Sequence, residues 1–129
     1  ATRRMMEKHG LTVLHVVSVE DALALLETAK AQGRVPGADV VLTDVNLKGD
    51  LTGGDLLDRI RNGFGYGKGQ LPVLVMTGDD NPKNQAALIR AGANDLVEKP
   101  IEERLLITKL LFQLRVGQHL RQQVSAAPA

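Results

Sequence analysis

Two kinds of segment alternate along this chain: short apolar runs rich in β-branched residues, and longer stretches whose apolar residues recur every three or four positions. That alternation predicts an α/β domain with a parallel sheet. The predicted strands are Thr12 to Val17 (TVLHVV), Asp39 to Thr43 (DVVLT), Leu71 to Met76 (LPVLVM) and Asp95 to Glu98 (DLVE). The middle two are apolar nearly throughout, as suits strands covered by helices on both faces.

Helix signals fall between these runs. Ser18 followed by Asp21 resembles a capping box opening a helix over Val19 to Ala31, with Ala22, Leu23, Leu25 and Leu26 as its apolar stripe and Gly33 as its end. Asp55 to Arg61, after the flexible pair Gly53-Gly54, reads as a short helix. Pro82 suits the first turn of a helix running to Ala91, and Gly92 is the expected left-handed stop. The last helix starts near Ile101 and runs past Arg115, with Leu105, Leu106, Thr108, Leu110, Leu111 and Leu114 facing inward or toward a partner. Beyond Gly117 the chain turns polar, then small and Pro-containing. The expected organisation is one domain over residues 1–116 and a helix extension dissolving into a linker over 117–129.

Composition narrows the function classes. A chain of 129 residues suffices for one core and is short for two. Sixteen basic against fifteen acidic residues leave a net charge of +1, so bulk charge gives no reason to expect nucleic acid or an anionic membrane as partner. With no cysteine there are no disulfides and no thiolate metal sites. No stretch approaches the roughly 18 apolar residues of a membrane span, so a soluble, cytoplasmic protein is expected. His9, His15 and His119 lack metal-ligand spacing and read as structural or surface residues. Residues 62–69 (NGFGYGKG) look like a phosphate-cradling loop but precede a strand instead of following one, so they read as a mobile loop whose Phe64 and Tyr66 are candidates for partner contact. Arg115, His119 and Arg121 form a solvated or dimer-facing stripe on the terminal helix.

Three polar residues close three consecutive predicted strands: Asp44, Thr77 and Lys99. In an open parallel sheet those carboxyl ends lie side by side on the edge where α/β ligand sites form. A carboxylate can act as a nucleophile and carry a phosphoryl group as an acyl phosphate. A neighbouring lysine can pair with the arriving charge, and a hydroxyl can donate a hydrogen bond to it.

The stretches VVLTDVNLKG, LPVLVMTGDD and ALIRAGANDLVEKP, in that order, resemble the signature segments of response-regulator receiver domains of two-component signalling (CheY-like), over residues 11 to about 115. The resemblance implies a flavodoxin-like, doubly wound (βα)5 sheet with strand order 2-1-3-4-5. It implies that Asp44 accepts a phosphoryl group from a histidine kinase or phosphotransfer protein with Mg²⁺. Asn46 matches the position whose backbone carbonyl ligates the metal, Thr77 the hydroxyl that moves toward the phosphoryl group, and Lys99 the cation that pairs with it. Pro100 matches the proline whose preceding peptide bond is cis. Gly78 sits where the family keeps room for the phosphodonor, and Asp79 and Asn46 occupy positions that tune dephosphorylation. A following output domain or a homodimer partner would read the switch.

Two departures stand out. The family's first strand and its acidic metal-binding pair would fall before residue 1. Leu96 stands where these receivers usually place an aromatic ring that rotates inward on phosphorylation, so output would pass through backbone shifts near Thr77 and through the helix after Pro82. Two other readings compete. Haloacid dehalogenase-like phosphatases also use a strand-end aspartate, a hydroxyl and a lysine, but want a second aspartate where this chain has Asn46, and further metal-binding aspartates where it has Glu102 and Glu103. A pseudo-receiver would keep the fold as an unphosphorylated protein-binding module.

Overall fold

The structure, a computed structural model, describes the backbone of residues 2–45 and 51–126 and the side chains of residues 3–45 and 51–116. Helix α1 (Thr2–Lys8) and helix α2 (Val19–Ala31) precede strand β1 (Val41–Asp44). Helix α3 (Gly53–Asp58) runs on into a π-helical turn (Arg59–Gly63), followed by β2 (Val73–Thr77), α4 (Pro82–Ala91), β3 (Asp95–Glu98) and α5 (Glu103–Ala126). Among the described residues the strands form one parallel sheet in the order β1-β2-β3. The chain is thus an α/β domain with a parallel sheet, as the alternation of segments predicts.

The apolar character of β2 follows from its position between two cores. Val73 and Val75 point into one cluster with Leu26 of α2, Leu56 and Leu57 of α3, Ile60 and Tyr66. Leu74, one residue out of phase, joins Met5 of α1, Val97 of β3 and Leu106, Ile107 and Leu110 of α5 on the opposite face. Fully burying such a side chain contributes about 1.5–3 kcal/mol, so a central strand with both faces covered is strongly held in place.

The helix ends are chemically specified. Ser18 Oγ accepts a bond from the Asp21 amide at 3.1 Å. Thr52 and Asp55 form a reciprocal capping box, the Thr52 amide donating to Asp55 Oδ2 at 2.7 Å and the Asp55 amide to Thr52 Oγ1 at 3.2 Å. The Thr52 amide first, and then the Thr52 hydroxyl donating to Asp55 Oδ2 at 3.1 Å, hold the Asp55 carboxyl below its ordinary pKa. Pro82 opens α4 behind the Asn81 cap, and Gly92 closes it at φ +118°, a left-handed conformation that glycine adopts without a Cβ clash.

Several sequence expectations need correcting. Thr12 to Val17 is not a strand. Among the described residues no strand runs beside it, and Leu14 and Val17 stand 75% and 69% exposed. Its β-branched composition fits a pleated surface but cannot supply the neighbour that a ladder requires. The strands among the described residues lie in chain order. On α2 the buried side is Val19, Leu26 and Ala29, and Leu25 faces solvent. On α5 Leu106, Ile107 and Leu110 face inward, whereas Leu105 and Leu111 are 45% and 41% exposed and Thr108 is exposed with its hydroxyl on the Arg104 carbonyl.

The glycine-rich stretch is anchored inside the fold. Tyr66 is buried, stacked on Phe64 at a centroid distance of 5.2 Å, so it does not offer a partner contact. The Arg61 guanidinium donates to the carbonyls of Tyr66 (2.9 Å), Leu71 (2.8 Å) and Gly92 (2.9 Å) and to Asn94 Oδ1 (2.8 Å). Asn94 Oδ1 also accepts from the Val73 amide at 3.0 Å, and its Nδ2 donates to the Lys68 carbonyl at 3.0 Å. One guanidinium thus holds the loop, the start of β2 and the α4–β3 turn together, at the cost of a burial that lowers its pKa. Replacing Asn94 by Ala strands part of these donors. We expect Asn94→Ala to lose about 2 kcal/mol in urea unfolding, against less than about 0.5 kcal/mol for exposed Lys83→Ala. Equal losses in the two variants would remove the network from the account of stability.

Candidate functional site

The register of the parallel strands decides which residues meet. Asp44 lies beside Met76, Met76 beside Val97, and Thr77 beside Glu98. The ladders run one residue further, the Val45 amide donating to the Met76 carbonyl at 3.0 Å and the Lys99 amide to the Thr77 carbonyl at 2.8 Å. Asp44, Thr77 and Lys99 therefore emerge at one edge. Lys99 Nζ donates to Asp44 Oδ2 in a direct ion pair between residues 55 apart in the chain. Their side chains are 39% and 24% exposed, so the pair is open to solvent and reachable by an incoming group.

Gly53 makes this edge possible. A Cβ there would lie 2.1 Å from the Asp44 carbonyl oxygen and 3.1 Å from Val45 Cα, and the Gly53 amide donates to the Val45 carbonyl at 3.0 Å. The first turn of α3 is thus seated directly on the backbone that carries Asp44. The sequence suggests flexibility for the Gly53-Gly54 pair; the structure shows that the first is demanded by close approach and the second is not, since a Cβ on Gly54 meets only Thr52 Oγ1 at 3.5 Å.

Thr77 is buried, and its Oγ1 accepts from the Asp79 amide at 3.0 Å. Asp79 anchors the segment that follows: Oδ1 accepts from the Asn81 amide at 2.8 Å and Oδ2 from Asn84 Nδ2 at 2.6 Å. The Asn81 amide first, and then Asn84, lower the Asp79 pKa. A lowered folded pKa means that these contacts are fully present above the ordinary carboxylate range and are lost as pH falls through the lowered value. Beside them an open cleft of about 270 Å³ is lined by Val45, Thr77, Asp79, Asn84, Gln85, Ala87 and Leu88.

Of the other residues singled out in the sequence, Gly78 is exposed, and a Cβ on it would meet nothing within 4 Å. The Lys99-Pro100 peptide bond is cis. Leu96 packs against the cluster around Val73 and Val75, and its carbonyl accepts from Lys109 Nζ on α5. Asn46 lies outside the described residues. Glu102 and Glu103 are exposed. Among the described residues no three His, Asp or Glu side chains converge as a metal cage. No helix among them is long and apolar enough to cross a membrane. The sequence reading missed Gly53 as a steric requirement, and also Gln85 and Glu98, which meet beside the rim at 3.0 Å. Only the placement of Gly53 at a helix start soon after Asp44 was a usable signal. A carboxylate and an ammonium group on an exposed rim, with a buried hydroxyl on the strand between them, can hold and attack an electrophilic, anionic centre such as phosphorus.

Comparison with known proteins points the same way. The response regulator receiver domain family matches residues 1–111. The sensory transduction protein RegX3 of Mycobacterium tuberculosis is 30% identical over 113 residues, 88% of this chain and 44% of that protein. The transcriptional regulatory protein AfsQ1 of Streptomyces coelicolor is 28% identical over the same coverage of each. The chain therefore spans less than half the length of these curated relatives. Among solved structures, the receiver domain of NtrX from Brucella abortus is similar at a TM-score of 0.72 and 26% identity, covering 88% of this chain and 87% of that one. The receiver domain of the Francisella response regulator 1452 shares the fold at a TM-score of 0.75 and 21% identity, covering 88% and 84%.

The contrast between the two glycines gives a direct check on the site's architecture. Gly54→Ala should be neutral or gain up to about 1 kcal/mol, the usual benefit of alanine in a helix. Gly53→Ala should lose more than about 2 kcal/mol, because backbone cannot yield to a 2.1 Å contact as a side chain would. Thermal unfolding of both variants checks this, and similar melting temperatures would sink it.

Proposed function

The chain belongs to the response regulator receiver domain family of two-component systems, and on that premise we propose that Asp44 accepts a phosphoryl group from a histidine kinase or a phosphotransfer protein. Members of this family are signalling proteins rather than classical enzymes, and phosphorylation on an aspartate is typical of them. The observation that carries the assignment to Asp44 is its ion pair with Lys99 at the strand ends. An Asp44 carboxylate oxygen attacks the phosphorus of a phosphohistidine; the P–O bond forms as the P–N bond breaks, and the leaving imidazole keeps the electron pair and takes up a proton. Lys99 stays beside the new phosphoryl oxygens and offsets part of the roughly −1.5 to −2 charges that arrive. Thr77 Oγ1 releases the bond it accepts from the Asp79 amide and its hydroxyl donates a hydrogen bond to a phosphoryl oxygen, while Gly78 leaves room for the donor.

Mg²⁺ is the cofactor typical of the family, and it would neutralise charge on the transferring group. Asp44 and the Asn46 carbonyl are the proposed contributors from this chain. The change at Thr77 and in the segment through Asp79 is the proposed signal, which passes through backbone shifts there and through α4 to an output domain or a second copy in the cytoplasm. A coupling of about 1–3 kcal/mol is enough to shift partner affinity roughly 5- to 150-fold. The second reading keeps the fold as an unphosphorylated protein-binding receiver.

Labelling separates the two. The full chain incubated with acetyl phosphate and Mg²⁺ should incorporate phosphate, and Asp44→Asn should incorporate none. Persistent labelling of the variant at the original rate would refute Asp44 as acceptor; no labelling of the unmodified chain would favour the second reading. Lys99→Ala should remain folded, since a solvent-open ion pair is worth at most about 1 kcal/mol. It should nevertheless lose most of the phosphorylation-dependent change in NMR shifts over residues 77–81, and an undiminished change would count against its role.

A further inference from the structure

Gln85 and Glu98 play no part in the chemistry proposed for the rim, yet they join its two halves. Gln85 Nε2, on α4, donates to the Asp79 carbonyl at 3.0 Å and to Glu98 Oε1 at 3.0 Å. Both partners are pure acceptors, so the nitrogen end of the carboxamide must face them, and its two hydrogens serve both bonds at once. Each partner is next to a working residue. Glu98 precedes Lys99, whose amide bonds the Thr77 carbonyl. Asp79 supplies the amide that occupies the Thr77 hydroxyl. One side chain therefore ties the segment that holds Thr77 to the strand end that carries Lys99.

We infer that Gln85 and Glu98 form a clasp, a pair of positioning residues that holds the segment after Thr77 in the arrangement where the Thr77 hydroxyl is engaged by Asp79. Its release favours departure of the hydroxyl toward the rim, so the clasp sets how readily the switch moves. This deepens the reading of Asp44 and Thr77 given above and rests on it for its consequence, though not for its geometry. The two bonds are solvent-accessible, which makes the clasp a bias on an equilibrium and not a lock. Bonds of this kind shift a population by about two- to tenfold.

Gln85→Glu keeps the shape but sets a carboxylate against a carbonyl and a second carboxylate, leaving no donor to close the clasp. In Gln85→Glu/Glu98→Gln the new carboxamide at 98 can donate to the carboxylate at 85, which restores the arm to β3 but leaves the Asp79 carbonyl without its donor. The measurement is solvent exchange of the Asp79 amide by NMR in the full chain, with the Val75 amide in the buried strand as reference. Gln85→Glu should speed Asp79 exchange by about two- to tenfold with Val75 unchanged, and the double variant should remain fast because the arm to Asp79 is still missing. Unchanged Asp79 exchange, an equal acceleration at Val75, or full recovery in the double variant, which would assign the effect to carboxylate repulsion, would overturn the clasp. Acetyl phosphate labelling of the same samples keeps the two ideas apart: if Asp44 takes no phosphate, the receiver reading fails while amide exchange still reports on the clasp.

Discussion

The register of three parallel strands is the constraint from which the rim follows. In a sheet a slip of one residue turns every side chain to the opposite face. Here that would pull Val73 and Val75 out of one core and Leu74 out of the other, exposing or misplacing side chains worth about 1.5–3 kcal/mol each. The solvent-open pair of Asp44 and Lys99 is worth at most about 1 kcal/mol. Apolar packing therefore brings the carboxylate and the ammonium group together, and their attraction is a consequence of the register. The site is held by residues that take no part in its chemistry.

This division explains how much could be read in advance. The strand ends at Asp44, Thr77 and Lys99 were legible because a buried parallel strand writes itself as an apolar run, and the polar residues within one or two positions of its end mark the edge. The limits of α2 and α4 were legible because Ser18, Pro82 and Gly92 act on their own backbone neighbours. The failures all concern partners distant in sequence. The run from Thr12 to Val17 has strand composition, but strand formation needs a neighbour that composition cannot name. Tyr66 lies in a glycine-rich stretch with every local sign of mobility, yet it is buried, and Arg61 reaches across 31 residues to the Gly92 carbonyl. Gly53 looked like a hinge because a close approach between backbones leaves no trace in hydropathy. Leucine spacing on α5 left open whether each residue faces inward or toward a partner, because spacing alone does not tell which edge of an apolar stripe touches the sheet, and Leu105 and Leu111 are exposed.

Leu96 shows how a departure from the family pattern can be accommodated by backbone contacts. Its side chain lies against the cluster around Val73 and Val75, while its carbonyl and the Asp95 carboxylate, 3.3 Å from Lys109 Nζ, both face one ammonium group on α5. A carbonyl moves with its strand, whereas a ring moves by rotating about its own bonds. Displacement of β3 is therefore felt at α5 through Lys109 whatever the side chain at position 96 does. Leucine there packs against the core and leaves the connection between strand and helix intact.

The elements around the rim are held by different kinds of force. Helix α3 is seated by Leu56 and Leu57 and by the backbone contact at Gly53, and α5 by Leu106, Ile107 and Leu110; to move either would open a core. Helix α4 has no buried residue. It rests on Leu88 and on polar contacts through Asn81, Asn84 and Gln85, most of them solvent-accessible. Such bonds exchange with water at a net cost of about 0.5–1.5 kcal/mol each, so the segment from Thr77 into α4 can rearrange at a cost far below that of unfolding. The carboxylate and the ammonium group thus stand on parts of the fold that resist movement, and the hydroxyl between them leads into the part that yields.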